Sequence, residues 1–277
     1  FEGTYFPDTG YTKVGDDSSA IIGYHKLYSN QIIIKDGTGA DATQYLRRFD
    51  LDSYSRSVFS IKQGALSEGA IAKDSFKTVN SIPFYVGKNG VFAIVSTNVA
   101  DQNNSVKKSL LVDKKLLGAD LKNAVCGTAK DRYYIAVGND MYICDTKQGG
   151  EWFYWTGLPQ ITCFSGDYFG TADGRVCRFM EETESNAYYD NVAVDGGLTG
   201  AAEINAYWNI PQTTLNDWAN YKTIKNFYVT CMPYKRSGVK VFYNSNEEQD
   251  EQVLEENIDL LDFSDIDFSR FSFSTIK

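Results

Sequence analysis

Three stretches of the chain share one pattern of apolar and polar positions. In each, an apolar strand rich in aromatic residues runs into a turn of Gly, Asn or Asp, and a second apolar strand follows. This pattern is the strongest short-range signal for a β-hairpin. Hairpins that recur along a chain predict blades of a β-propeller or a related array of sheets. The three stretches are 85–94, 134–143 and 168–179.

The residues around these hairpins add further short strands, in groups of three or four. One short helix is predicted over 114–117, with Asp113 as its cap and Gly118 as its end. The predicted fold class is all-β: an irregular or incomplete β-propeller built from antiparallel hairpins, with an additional C-terminal β module. The predicted strands are 20–28, 31–35, 43–49, 56–62, 71–79, 82–86, 91–96, 124–128, 133–137, 141–145, 152–155, 161–165, 168–169, 175–179 and 187–189.

The spacing of the turns argues against a regular repeat. Turn centres near Asn30, Asn89, Asn139 and Asp173 lie 59, 50 and 34 residues apart. WD40-type propellers keep closer to about 40–45 residues per blade. The spacing therefore favours an irregular or incomplete propeller.

The pattern changes after residue 195, so three parts are predicted. Residues 1–195 form propeller-like blades, and 196–246 form a β-ribbon or sandwich-like extension that is a candidate for closing the propeller. Residues 247–277 form an acidic, aromatic tail. Within the tail, 247–256 is predicted to be a solvated connector, and 260–274 two strands separated by a bulge or turn.

The negative charge is concentrated in that tail. The net charge is −9, and residues 247–277 hold ten acidic residues against only Arg270 and Lys277. The rest of the chain is close to neutral, with 26 acidic and 25 basic residues. A strong nucleic-acid-binding patch is therefore not expected, although the protein could lie near DNA within a larger assembly.

The sequence offers no coherent catalytic set, so the protein is predicted not to be an enzyme, with no catalytic, cofactor-binding or metal-binding residues. The single histidine, His25, lies in a predicted strand without a partner motif. Asp131, Asp145 and Asp167 lie at strand ends, where a glycosidase-type propeller would place its carboxylates. Asp is also a common turn residue, and no pair among the three stands out.

The five cysteines are odd in number and form no C-x-x-C motif. They predict reduced thiols, some buried in strands as small apolar groups, and assembly in a cytosol-like compartment. No apolar run approaches 18 residues and no signal peptide is evident, so no membrane contact is expected. The first residue is Phe1 rather than Met, which indicates a processed or truncated chain.

Two aromatic groups are candidates for protein contacts. In the predicted strand 152–155, Trp152 and Tyr154 point to one side and Phe153 and Trp155 to the other. One pair is expected in the core and the other at a contact between blades or subunits. In the tail, large apolar residues alternate with carboxylates and are expected to pack either on the body of the same chain or in a basic groove of a neighbouring subunit. They are Phe263, Ile266, Phe268, Phe271 and Phe273.

The order of several motifs resembles the stabilisation proteins of tailed bacteriophages over most of residues 20–277. The motifs are DATQYLR (41–47), QGA (63–65), PFYVGKNGVFA (83–93), WFYW (152–155), FGTADGR (169–175) and the tail DIDFS…FSFST (265–275).

The resemblance implies a non-enzymatic virion protein built around a β-propeller, assembled in the host cytoplasm and located at the head–tail connector near the portal, where it helps to retain packaged DNA. It also implies contacts with portal, connector or tail proteins and with other copies of the chain, and a longer parent protein. The alternative is a carbohydrate-binding or glycoside-hydrolase-type β-propeller that recognises a host or processes sugars.

Overall fold

The structure is a computed structural model that describes part of the chain. The described residues are 11–27, 30–39, 43–66, 69–95, 105–147, 149–179, 190–194, 197–202, 206–209, 226, 228, 230, 237–243 and 251–258. The chain divides into two units, Phe1–Asn205 and Ala206–Lys277.

Four antiparallel sheets follow one another along the first unit. In each sheet every strand pairs with the next strand in the chain. The first sheet contains β1 (Ile21–Leu27), β2 (Asn30–Lys35), β3 (Thr43–Leu51) and β4 (Ser57–Leu66); the second contains β5 (Lys77–Val79), β6 (Ile82–Gly87), β7 (Gly90–Ile94) and β8 (Ser105–Lys107); the third contains β9 (Val125–Ala129), β10 (Arg132–Val137), β11 (Asp140–Asp145) and β12 (Glu151–Trp155); and the fourth contains β13 (Ile161–Ser165), β14 (Tyr168–Thr171) and β15 (Val176–Arg178).

Two short helical segments and two ribbons complete the described structure. The helix α1 (Asp113–Leu116) and a 3₁₀ turn (Leu121–Asn123) connect the second and third sheets, and β16 (Asp190–Val194) pairs with β17 (Gly197–Ala202).

These elements confirm the predicted all-β class. Across the described ranges the sheets do not close into a ring. No helix in the same ranges is long and apolar enough to cross a membrane.

Two of the hairpin turns are formed by residues in the left-handed backbone conformation. Asn80 and Ser81 join β5 to β6 with φ of 49° and 66°, and Lys130 and Asp131 join β9 to β10 with φ of 47° and 65°. Two consecutive left-handed residues are typical of a type I′ turn, whose twist matches that of the strands. Thr146 stabilises the second turn, because its backbone amide and its hydroxyl both donate to the Asp131 carbonyl, at 3.0 and 2.6 Å.

The sheets stack face to face, and the two middle sheets are buried on both sides. In β6, Tyr85 packs toward the first sheet, whereas its neighbours Phe84 and Val86 pack toward the third. In β10, Tyr133 packs toward the second sheet and Tyr134 toward the fourth. Successive strand residues point to opposite faces, so burial of both faces explains why these strands are continuous apolar runs.

Two local predictions are corrected by the structure. The predicted strand 71–79 is reduced to β5, because Ser75 turns the chain by donating from its amide and its hydroxyl to the Ala72 carbonyl. Asp113 is the first residue of α1 rather than its cap. Its carboxylate instead accepts a hydrogen bond from the Ser109 hydroxyl at 2.6 Å and forms an ion pair with the Lys107 ammonium.

The described part of the second unit is a ribbon of β18 (Ser237–Tyr243) and β19 (Glu251–Ile258). The prediction of a solvated connector over 247–256 is therefore wrong for residues 251–256, which belong to β19. In the register of the ribbon, Lys240 lies opposite Glu255. The predicted strands in 260–274 lie outside the described residues.

Candidate interaction surface

The hairpin of β3 and β4 extends beyond the rest of the first sheet. The six-residue β2 pairs with β3 only from Ile34 opposite Gln44 to Asn30 opposite Arg48. Pairing between β3 and β4 continues further, through Phe49 opposite Phe59 to Leu51 opposite Ser57. Residues 49–59, hereafter the hairpin tip, are therefore held by their own two strands alone within the described sheet.

The hairpin tip carries large apolar side chains that face solvent. Such residues are normal when scattered singly, but a contiguous exposed group marks a site of protein interaction, and Phe49, Leu51 and Phe59 form such a group on one face of the hairpin. The exposed fractions are 53% for Phe49, 56% for Leu51, 77% for Tyr54, 42% for Val58 and 44% for Phe59.

The turn of the hairpin tip is held by hydrogen bonds within the chain. One oxygen of the Asp52 carboxylate accepts hydrogen bonds from the amides of Tyr54 and Arg56, both at 2.9 Å, and the other accepts from the Arg56 guanidinium at 2.9 Å. The Arg56 amide, foremost among these contacts, lowers the pKa of Asp52. The rings of Phe49 and Phe59 lie 5.6 Å apart, edge to face. A fixed turn and a fixed aromatic pair reduce the entropy that a docking surface loses on binding.

The hairpin is also basic. Residues 43–66 contain Asp50 and Asp52 against four cations. The Arg47 guanidinium lies 3.9 Å from the centre of the Phe59 ring, so apolar and positive groups share one surface. Such a surface suits an acidic partner with apolar side chains. The four cations are Arg47, Arg48, Arg56 and Lys62.

The predicted division of the strand 152–155 into two faces is confirmed. Trp152 and Tyr154 pack against the core between the second and third sheets, and the Trp152 indole donates to the Lys108 carbonyl at 2.8 Å. Phe153 and Trp155 lie on the other face and are about half exposed. The Trp155 ring lies 6.0 Å from that of Phe179. Trp155 is therefore available for a contact, whereas Trp152 is largely used inside the protein.

The tail residues predicted to make contacts lie outside the described residues. They are Phe263, Ile266, Phe268, Phe271 and Phe273.

The three strand-end carboxylates are each paired with a cation. Asp145 accepts from Arg132 at 2.8 Å, Asp131 lies 3.4 Å from the Lys147 ammonium, and Asp167 lies 3.5 Å from that of Lys130. Burial tends to raise the pKa of Asp145, but hydrogen bonds from Arg132 and from the Lys147 amide outweigh it and the pKa is lowered. A catalytic acid needs the opposite shift, so Asp145 suits a structural ion pair.

His25, in β1 of the first sheet, contacts Thr78, in β5 of the second sheet. The Thr78 hydroxyl lies 2.9 Å from its Nε2 and 3.1 Å from its Nδ1, and the edge of its ring meets Phe76. Partial burial lowers the pKa of the imidazole. These contacts suit a structural role for His25.

A cleft beside the 3₁₀ turn contains two further carboxylates. Its volume is about 490 Å³, and its lining includes Asp120, Asp140, Asn123 and Gln160 but no tryptophan. Asn123 donates to Asp120 at 2.6 Å. The cleft therefore lacks the indole that would stack on a sugar.

The cysteines follow the prediction in part. Cys126 and Cys144 are buried in strands, and burial raises their pKa values to about 12 and about 11. Cys163 is instead exposed on β13. Cys231 lies outside the described residues.

The sequence predicted both strands of the hairpin but not its projection. The sequence signal that could have revealed the projection is strand length, because β2 is shorter than β3 and β4.

The chain matches no protein-family model, and a comparison with curated proteins found no match.

Proposed function

We propose that this chain is a non-enzymatic structural protein of a tailed-bacteriophage virion, located in the head–tail connector or tail region, where it helps to retain packaged DNA. The observation that carries the proposal is the hairpin tip, which exposes large apolar side chains at the end of a basic hairpin and stands clear of its sheet. A projecting element of this kind suits docking to another protein.

The arrangement of sheets and the sequence motifs also support this proposal. Antiparallel meanders that stack through successive faces are the building plan of propeller blades. The resemblance to phage stabilisation proteins implies a β-propeller, and the uneven spacing of the turns favours an irregular or incomplete one, with the ribbon module after it. In this proposal the scaffold holds docking surfaces for portal, connector or tail proteins and for other copies of the chain.

The charge distribution bears on how DNA would be retained. The chain outside residues 247–277 has 26 acidic and 25 basic residues, and the remaining segment is acidic. A surface without excess positive charge gains little from binding phosphates. The proposed protein therefore retains DNA by completing a closed protein assembly rather than by gripping the duplex.

The test uses a phage that encodes this chain. Purified virions should contain the chain in a fixed number of copies by quantitative mass spectrometry, and particles made without it should lose DNA to added nuclease. Complementation with Leu51→Asp, at the hairpin tip, should fail, whereas Val176→Asp, at a more exposed apolar site on β15, should restore DNA retention. Absence of the chain from purified virions would overturn the proposal.

A second candidate is a carbohydrate-binding or glycoside-hydrolase-type β-propeller. The observation that favours it is the half-exposed pair of Phe153 and Trp155 on one face of β12, since exposed aromatic faces can stack on sugars. A glycan-array screen and an oligosaccharide hydrolysis assay test this function. Binding that is lost in Trp155→Ala with the fold retained would favour it over the virion role.

A further inference from the structure

The outer edge of β4 lies beside the exposed side chains of the hairpin and is a second candidate for a contact. The first sheet ends at β4, and no other described strand pairs with it there. This strand has ten residues, and all of 57–63 except Ile61 are exposed. Lys62 is the one charged side chain on it. A long exposed edge presents backbone donors and acceptors that an added strand can satisfy.

A segment with matching chemistry is encoded in this chain, directly after β19. Residues 259–268 contain four Asp and no Lys or Arg, together with five large apolar side chains. The hairpin, residues 43–66, has two more cations than anions. The segment is as long as β4, and its composition complements the apolar and basic surface beside that edge. Its apolar residues are Leu260, Leu261, Phe263, Ile266 and Phe268.

We propose that residues 259–268 of a second copy of this chain dock on the hairpin, as a strand added to the free edge of β4. Backbone hydrogen bonds to β4 supply affinity, and the Asp side chains of the incoming segment lie near Arg47, Arg48 and Arg56. This inference rests on the proposed role of the hairpin as an assembly surface. The contact joins different surfaces on the two copies, so its repetition produces a ring or an open chain of subunits.

Two full-length variants separate this mode of association from others. The first, Phe49→Asp with Leu51→Asp, damages the hairpin tip and leaves the tail intact. The second, Asp262→Lys with Asp265→Lys and Asp267→Lys, reverses the tail charge and leaves the hairpin intact. The matched control is Val176→Asp, which places the same acidic group at an exposed site on β15. Circular dichroism establishes that each variant is folded.

Light scattering over about 1 to 100 μM, a range suited to micromolar affinity, measures the mass of each protein. The measured mass of the wild type and of the control should exceed that of one subunit, and each variant alone should have the mass of a monomer. An equimolar mixture of the two variants should form a heterodimer, because the first variant supplies an unaltered tail and the second an unaltered hairpin.

Three results would overturn the inference: a monomeric wild type, association that persists in either variant, or a mixture that stays monomeric. A wild-type protein that is present in virions but monomeric alone would overturn this inference and leave the proposed function standing.

Discussion

Tyr133 joins two sheets through one buried hydroxyl. Its side chain is completely buried, its ring centre lies 5.4 Å from that of Phe84, and its hydroxyl donates to the Ser75 carbonyl at 2.5 Å. Burial, with a contribution from the nearby Cys126, raises the pKa of Tyr133 well above its ordinary value. The phenol therefore remains a neutral donor, and the turn before β5 depends on it.

Removal of that hydroxyl should destabilise the protein measurably. Tyr133→Phe leaves the Ser75 carbonyl buried without its donor, which should lower the free energy of unfolding by about 1–2 kcal/mol in urea denaturation. Tyr168→Phe removes a hydroxyl from a ring that is about half exposed, and it should change the same quantity by less than about 0.5 kcal/mol. Equal effects of the two substitutions would refute the role assigned to Tyr133.

His25 should make stability depend on pH. Desolvation lowers its pKa below the ordinary value of 6.5 in the folded protein. The unfolded chain therefore binds a proton first as the pH falls, so the contribution of His25 to stability is complete above pH 6.5 and is lost as the pH falls through the folded pKa.

This histidine is the only one in the chain, so its imidazole gives a single titrating proton signal in NMR. The midpoint of that titration should lie below 6.5. In His25→Gln the urea midpoint should fall less between pH 7 and pH 5 than in wild type. A titration midpoint at or above 6.5 would contradict the assignment.

At the scale of elements, Gly127 in β9 sets how closely the third and fourth sheets approach. A Cβ at this position would lie within 2.4 Å of the Phe164 side chain. The Phe164 ring stacks on Tyr134, with centres 5.9 Å apart, so it has little room to move. Close packing at this contact therefore depends on the missing side chain.

Gly127→Ala should lower the free energy of unfolding by about 1–3 kcal/mol, the usual cost of overpacking a core. Gly118→Ala provides the control, since a Cβ there would meet only ordinary contacts, the nearest at 3.5 Å. Thermal unfolding of both variants beside wild type measures the difference. A neutral Gly127→Ala would show that the two sheets can separate at no cost.

The elements that sequence could predict are those fixed by local chemistry. The predicted strand 161–165 coincides with β13, and 141–145 differs from β11 by one residue, because turn residues bound both. The acidic strand β19 was missed because its pairing depends on the partner strand β18 rather than on its own local pattern. The hairpin tip was missed as a site because its exposure follows from the shorter length of β2, a relation between strands.

At the scale of the whole molecule, burial differs among the sheets of the first unit. The second and third sheets contribute to cores on both of their faces. The fourth sheet packs on one side and exposes Tyr168 and Val176, and the first sheet ends in the exposed hairpin tip. Backbone hydrogen bonds between buried faces open only when the packing around them is lost.

Amide hydrogen exchange of the dilute protein should therefore divide the first unit. Amides of β6, β7, β10 and β11 should exchange slowest, at the rate set by global unfolding, because both faces of these strands are buried. Amides of residues 49–59 should exchange much faster through local opening of the hairpin tip. Mass spectrometry of peptic fragments resolves these segments. Protection of the tip equal to that of β10 at low concentration would mean that the tip is covered within a single copy, and it could not then serve as a free docking surface.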